Sequence, residues 1–343
     1  MGARTFLIHD TSAASLRYST SCSVLHQTTD LARADPAEVA EIINELHRRI
    51  PIDIVIGSDL DSLLLLARMG NLIVPPLYAM APSETLLRLH DKWQFFQMCR
   101  ALDIDVPRSV RIQPQTCDPG SIAREIGFPL VIKPTALYGQ RGVVFVDDQR
   151  ALAAEFRSYP FPWSIVQEFI PGQDWGISIF ANYGRITNWT SFLCPDFVSA
   201  AFVPNGDLLE LVRRIVAETH FNGVANFDAR MDERDHRLKM FECNPRFFSR
   251  MSATRLCGLD FVKAGICGEE RQALTSGYYF HWRELGRLAG WRALCNGNWK
   301  IRSLARDLGE MLVDPLPIVA RKMCREDLGT PSDLISHPEV YRS

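Results

Sequence analysis

The chain has 343 residues, 47% hydrophobic and 23% charged, a balance that excludes a disordered or collagenous protein and allows two or three domains. Its 38 basic and 40 acidic side chains nearly cancel, so no global field draws it onto nucleic acid. The nine cysteines are scattered, with no C-x-x-C pair to suggest a zinc or redox site, and read as reduced, mostly buried thiols.

In chain order, residues 5–9 read as a short apolar strand, 37–50 have helical periodicity, and 53–57 (Asp-Ile-Val-Ile-Gly) read as a buried strand. Ser58 or Asp59 caps a helix carrying residues 63–69, and a strand over 72–74 precedes the break at Pro75-Pro76. Together these predict a small parallel α/β layer ending near Pro82. His9-Asp-Thr-Ser-Ala-Ala follows the first strand where a dinucleotide fold would carry G-x-G-x-x-G, which argues against NAD or FAD. The apolar stretch 52–74 is interrupted by Asp53, Asp59, Asp61 and Arg68, too polar for a bilayer span. No basic-then-apolar leader opens the sequence, so a cytoplasmic chain without a transmembrane segment is expected.

From residue 83 the pattern becomes α+β. A helix is predicted over 83–102, stopped by Pro107, and another over 117–126, closed by Gly127. Strands follow at 130–133, 163–169, 176–181, 223–231 and 238–243, with a helix at 207–220 between them. From Gly277 on the pattern reads as helical, with nine Arg and Lys against four Asp and Glu between His281 and Arg325. A solvated basic face covering the core explains that excess best, and peripheral contact with an anionic membrane is the alternative.

The segment Phe241-Glu242-Cys243-Asn244-Pro245-Arg246 carries the strongest chemical signal. Side chains two apart on a strand share a face, so Glu242 and Asn244 present a carboxylate and an amide oxygen together. A hairpin centred on Asp235 sets Asp228 opposite Glu242. Each alone reads as an ordinary solvated strand residue; together, next to Pro245-Arg246, they suit Mg²⁺, which completes its shell with water and substrate phosphate. Upstream, the strand ending in Lys133-Pro134 leads into Thr135-Ala-Leu-Tyr-Gly139-Gln-Arg141-Gly142, a loop able to lay backbone N–H groups over phosphate beside the ammonium. It is not a P-loop, since G-x-x-x-x-G-K-[ST] is absent.

In these motifs the stretch from about Asp91 to Lys263 resembles the ATP-grasp superfamily, in its carbamoyl-phosphate-synthetase-like branch of carboxylate–amine ligases. Asp91-Lys92-Trp-Gln-Phe-Phe looks like the family's phosphate-lysine helix, which makes Lys92 a phosphate contact and gives Lys133 the α and β positions. Val166-Gln167-Glu168-Phe169-Ile170-Pro171-Gly172-Gln173-Asp174 is similar to the adenine hinge. The resemblance implies that Gln167, Glu168 and the Phe169 and Ile170 backbone face the base, that Asp174 faces the ribose, and that Gly139 and Gly142 line the phosphates. It assigns Asp228, Glu242 and Asn244 to metal, Arg246 to the transferring phosphoryl group, and, displaced by one residue, Arg250 to the same work.

The implied fold is a small Rossmann-like pre-ATP-grasp domain (1–82), a two-lobed ATP-grasp domain (83–276, with lobes of about 107–165 and 166–276) and a helical C-terminal region (277–343). The implied cofactors are ATP and two Mg²⁺ ions, with Mn²⁺ as a substitute. The implied reaction activates a small-molecule carboxylate as an acyl phosphate and joins it to an amine. No Ser-His or Cys-His signature and no G-x-S-x-G competes with this, and none of the eight histidines has metal-ligand spacing. A non-catalytic nucleotide-binding subunit, motivated by the two-glycine loop, and a carboxylase or carbamoyl-type synthetase remain open, as does a homodimer.

Overall fold

The computed structural model describes residues 3–280, apart from 29, 138, 140, 195–198, 249–250, 252, 256–257, 269 and 273–276, together with Asp314 and Leu316. Arg250 and the basic segment from His281 therefore lie outside the described residues, save those last two positions.

The opening segment is a parallel pair, β1 (Phe6–His9) and β2 (Ser23–Gln27), followed by α1 (Pro36–Arg49) and α2 (Leu60–Met69). Asp59 caps α2 by accepting from the Ser62 N–H at 2.8 Å, and the Ser62 hydroxyl accepts from the Asp59 N–H at 3.1 Å, a reciprocal pair that fixes where the helix starts. The strands expected at 53–57 and 72–74 do not form. Val55 makes a single parallel bridge with Leu77, and residues 70–72 are a 3-10 turn. The reason is local: the Asn44 side chain takes the Leu72 carbonyl at 2.7 Å and the Val74 N–H at 2.9 Å, and Pro75-Pro76 has no N–H to extend a ladder.

One continuous helix over 83–102 is likewise corrected. The chain forms α3 (Ser83–His90) and α4 (Lys92–Ala101), divided at Asp91, whose extended backbone and carboxylate cap α4 by accepting from the Gln94 N–H at 2.8 Å. The break is what puts Lys92 at the first turn of a helix.

Next come β3 (Ser109–Ile112), α5 (Pro119–Ile126), β4 (Leu130–Pro134), β5 (Val144–Val146), α6 (Gln149–Ser158) and β6 (Ser164–Glu168). The strands form a four-stranded antiparallel sheet in the order β3-β6-β4-β5. Its inner face packs Leu130, Ile132 and Val166 against Ile122 and Ile126 of α5 and Leu152 and Phe156 of α6. The passage between sheets falls after Glu168 and not between 165 and 166, because β6 pairs with both β3 and β4.

The second sheet is built from β7 (Gly172–Asn182), β8 (Arg185–Cys194), β9 (Ser199–Phe202), then, after α7 (Gly206–Glu218), β10 (Gly223–Asp232) and β11 (Leu238–Asn244). After α8 (Phe261–Cys267) come β12 (Arg271–Gln272) and β13 (Gly277–Phe280). The seven strands run β11-β10-β7-β8-β9-β13, with β12 on β8. Residues 277–280, expected as the start of a helical region, are thus an edge strand paired with β9. Aromatic residues dominate there (Tyr278, Tyr279, Phe280), and β9 offers an open edge.

The main core lies between this sheet and α3, α4 and α7, where Leu86, Leu89, Phe95 and Met98 meet Ile177, Ala225, Phe227, Leu208, Val212 and Ile215. Burying such large side chains contributes about 1.5–3 kcal/mol each and holds α4 to β11, the two elements that carry Lys92 and Glu242. All six cysteines among the described residues are free, but only Cys99 and Cys243 are buried. Among the described residues no helix is long and apolar enough to cross a membrane.

Candidate active site

The β10–β11 hairpin sets Asp228 directly opposite Glu242 and Asn226 opposite Asn244. Its turn is not centred on Asp235 as a continuous register requires: after Asp228 the partner jumps from Glu242 to Met240, so Phe241 is the extra residue of a bulge. The bulge turns Phe241 toward β4, and the Lys133 ammonium sits 4.8 Å from its ring centroid. The four-stranded and seven-stranded sheets thus meet at Lys133 and β11.

A connected polar row runs along the hairpin. The Asn244 amide donates to Asp228 Oδ2 and to Glu242 Oε1, both at 3.3 Å, and the Arg246 guanidinium donates to Asn244 Oδ1 at 2.9 Å. Asn226, fully buried, donates to Asp228 Oδ1 at 2.9 Å and accepts from the Ser178 hydroxyl at 2.9 Å. Asn226 was not legible as a site residue, although its place two before Asp228 on one strand is the signal that it shares the face.

Two lysines close on this row from other elements. Lys92, 4% exposed, has its ammonium 3.9 Å from Glu242 Oε2 and donating to the Leu137 carbonyl. Burial pushes Lys133 down to about 8; Glu242 works against that shift and Lys92 adds to it. The loop after β4 is pinned at three successive carbonyls: Thr135 by the Lys92 N–H at 2.8 Å, Ala136 by the His90 imidazole at 2.9 Å, and Leu137 by the Lys92 ammonium. Burial first and Lys92 second lower His90 to about 4, so the ring is neutral and its Nε2–H donates to Ala136. His90 is a second residue whose part in the site sequence reasoning missed; only the break at Asp91 brings it here.

The glycines of that loop differ. Gly139 is exposed with φ 70°, whereas a Cβ on Gly142 would stand 2.5 Å from Phe161 and 2.7 Å from Pro134, and its carbonyl accepts from the Tyr159 hydroxyl. Gly142 is therefore a packing glycine as well as a loop residue.

At the other end of the same surface lies the segment between the sheets. Val131 and Lys133 of β4 stand opposite Gln167 and Ile165 of β6, so all four share one face. Gln167, 3% exposed, donates to the Ser109 hydroxyl at 2.9 Å and leaves its amide oxygen without a protein partner. The Glu168 carboxylate is held by the Arg108 N–H at 3.0 Å and its Nε at 3.1 Å, with Arg234 at 3.7 Å, so it braces the hinge from within the protein. The Phe169 N–H donates to the Pro129 carbonyl at 3.0 Å and the Ile170 carbonyl accepts from Arg230 at 3.0 Å. Among the described residues this leaves the Phe169 carbonyl and the Ile170 N–H as the hinge's unpaired acceptor and donor. Asp174 forms a bidentate pair with Arg230 at 2.6 and 3.0 Å.

Gly172 fixes the crossing into β7. Its φ is 137°, and a Cβ there would lie 1.9 Å from the Met231 carbonyl oxygen. Gly172→Ala is expected to lower stability by about 2 kcal/mol or more, read from urea unfolding; an unchanged midpoint would refute this account of the crossing.

Residues 89–249 match the ATP-grasp domain family. The segment 89–249 is an ATP-grasp domain. Around it, the chain is similar to the D-aspartate ligase of Enterococcus faecium (strain Aus0004), 24% identical over 204 residues, covering 51% of this chain and 48% of that protein. It is also similar to the arginine-specific large chain of carbamoyl phosphate synthase of Bacillus subtilis (strain 168), 23% identical over 183 residues, 48% of this chain and 17% of that protein. The chain thus spans less than half the length of these curated relatives.

Two solved structures share the fold. One is the L-amino acid ligase from Bacillus licheniformis, with TM-score 0.59 and 13% identity over 81% of this chain and 79% of that one. The other is the N5-carboxyaminoimidazole synthetase from Staphylococcus aureus complexed with ADP, with TM-score 0.63 and 12% identity over 83% of this chain and 78% of that one.

The ATP-grasp domain's donor set suits a hard cation: two carboxylates are opposed across a hairpin with no thiol or imidazole among them, while the Asn244 amide turns its nitrogen to both and its oxygen to Arg246. Among the described residues no three His, Cys, Asp or Glu converge as a closed metal cage. An open set completed by phosphate oxygens and water fits Mg²⁺, which seldom takes an all-protein cage.

Proposed function

We propose that the protein is an ATP-dependent ligase that activates a small-molecule carboxylate as an acyl phosphate and joins it to an amine, releasing ADP and phosphate. The observation that carries this reading is the convergence of Lys92, Lys133 and Arg246 on the row Asp228, Glu242 and Asn244 where the two sheets meet.

Lys92 and Lys133 hold and neutralise the phosphates, and the hinge acceptor and donor at Phe169 and Ile170 meet the base edge. Asp228, Glu242 and Asn244 would hold two Mg²⁺ ions, for which Mn²⁺ can substitute; bound there, the ions would neutralise charge on the nucleotide phosphates. A carboxylate oxygen attacks the γ-phosphorus, the bond to the bridging oxygen breaks, and ADP leaves. Arg246, fixed by Asn244, faces the charge that develops on the transferring group. The amine nitrogen then attacks the acyl carbon, loses a proton and expels phosphate, a step that calls for water exclusion more than for a protein nucleophile. Arg250 belongs with Arg246 in this reading, and Gly139 and Gly142 with the phosphate loop.

Residues 1–82 are assigned as the pre-ATP-grasp domain, 83–276 as the ATP-grasp unit and 277–343 as a C-terminal region. A cytoplasmic homodimer acting on small molecules, without nucleic acid, is the expected setting.

The test is ADP and hydroxamate formation with Mg·ATP, hydroxylamine as surrogate amine and pools of amino-acid and other carboxylates. Hydroxamate formed only with carboxylate present supports the ligase and names the acid. ADP release that requires bicarbonate supports a carboxylase or carbamoyl-type synthetase, and ATP binding without ADP release under any acid supports a non-catalytic nucleotide-binding subunit.

A further inference from the structure

Met240 and Cys243 both lie in the main core, 0% and 1% exposed, although they stand three residues apart on β11. Strict strand alternation cannot send both to one face. The bulge resolves this: Asp228 pairs with Glu242 and Ala229 with Met240, which leaves Phe241 without a partner of its own on β10. The extra residue shifts the phase of the strand. Phe241 and Glu242, consecutive in sequence and both half-buried, therefore project together away from the core, Phe241 to Lys133 and Glu242 to Lys92.

Lys133 reaches this place from the other sheet. It lies on the face of β4 that it shares with Val131, and its ammonium rests 4.8 Å from the Phe241 ring centroid. Among the described residues that ammonium makes no hydrogen bond and no ion pair. Lys92 differs, since its ammonium donates to the Leu137 carbonyl and stands 3.9 Å from Glu242. An aromatic face attracts a cation through the ring quadrupole and takes up no N–H in doing so. The three donors of Lys133 thus stay available to phosphate oxygens.

A half-buried phenylalanine beside a lysine is ordinarily an apolar cover for the methylene stem. Two observations point beyond that here. The ring meets the ammonium itself, and the ladder is interrupted at this one residue, next to Glu242. Burial works against the charged form of Lys133, and a ring face offsets part of that cost.

We infer that Phe241 is a positioning residue: its ring holds the Lys133 ammonium of the four-stranded sheet beside the row Asp228, Glu242 and Asn244 of the seven-stranded sheet, and leaves the N–H donors of that ammonium to the nucleotide phosphates. The inference rests on the ATP reading above and adds what sets the phosphate lysine against the metal ligands. An aliphatic side chain fills the same volume but has no such face, so the aromatic ring is the specific requirement.

The experiment is calorimetric titration of the full chain with Mg·ATP, beside Phe241→Leu, Phe241→Tyr, Lys133→Met and the double variant Phe241→Leu with Lys133→Met, with melting temperatures to check each fold. Phe241→Leu keeps an apolar side chain and is expected to bind about tenfold more weakly, the worth of a partly desolvated cation–π contact. Phe241→Tyr retains the face and should bind within about twofold of the unsubstituted chain. In the Lys133→Met background the Phe241→Leu change should bring no further loss, since the cation it positions is gone. An equal Phe241→Leu loss with and without Lys133, or a loss as large in Phe241→Tyr, would overturn the inference in favour of packing alone. Unchanged binding in Phe241→Leu would overturn it outright. If the unsubstituted chain binds no Mg·ATP, the ATP reading falls and takes the inference with it; if that chain binds and only the Phe241 pattern fails, the inference falls by itself.

Discussion

Glu242→Ala is expected to reduce ADP and hydroxamate formation by about a thousandfold, the several kcal/mol that a hard-cation ligand supplies to a phosphoryl-transfer transition state. The fold should survive. Glu242 is partly exposed, and β11 is held to β10 by backbone pairs on both sides of it and to α4 by apolar packing. Removing the carboxylate also leaves Lys92, 3.9 Å away, and Lys133 less opposed, so phosphate binding in the absence of divalent cation should persist or strengthen. Loss of turnover with retained nucleotide binding is therefore the signature. Near-normal turnover in this variant would sink the assignment of Asp228, Glu242 and Asn244 to metal.

Lys133→Met is expected to weaken Mg·ATP binding and turnover together, by about a hundredfold in kcat/KM, since it removes a fixed charge from a site of low dielectric. The same lysine makes a pH prediction. Burial holds its folded pKa at about 8, below the usual lysine value, so it is charged below that pH and loses its charge above it. Mg·ATP affinity should fall as pH rises through about 8 in the unsubstituted chain, an effect that Lys133→Arg, charged throughout, should abolish. A pH profile that is flat across that range, or equally steep in Lys133→Arg, would refute the part given to Lys133. Because a group whose charged form is disfavoured in the fold binds its proton more tightly when unfolded, stability from this residue should rise between about 8 and the unfolded lysine value.

The site was legible wherever one strand or one cross-strand pair defines it. Glu242 and Asn244 share a face by strand alternation alone, and the pairing of Asp228 with Glu242 follows from the hairpin that joins them. Even there the sequence pointed to a turn centre that the Phe241 bulge displaced, since an extra residue leaves no trace in alternation. The helix break at Asp91 was missed because apolar periodicity runs across it, and a capping carboxylate inside a helical pattern is visible only once the second helix has packed.

What the sequence determined by itself was the chemical inventory and its order along the chain: a lysine within a helical stretch, a lysine at a strand end, a second strand ending in an acid before Pro-Gly, and two carboxylates with an amide and an arginine. Local periodicities of two and 3.6 suffice for that, because each motif is completed within one element or one hairpin. Tertiary structure alone decided the rest. It turned Glu168 inward to brace Arg108, spent Asp174 and the Ile170 carbonyl on Arg230, and brought His90 onto the loop after β4. Those partners lie about 45 to 60 residues apart, and which buried polar group satisfies which is set by the packing of sheet on sheet and helix on sheet, a long-range condition that no window of sequence contains.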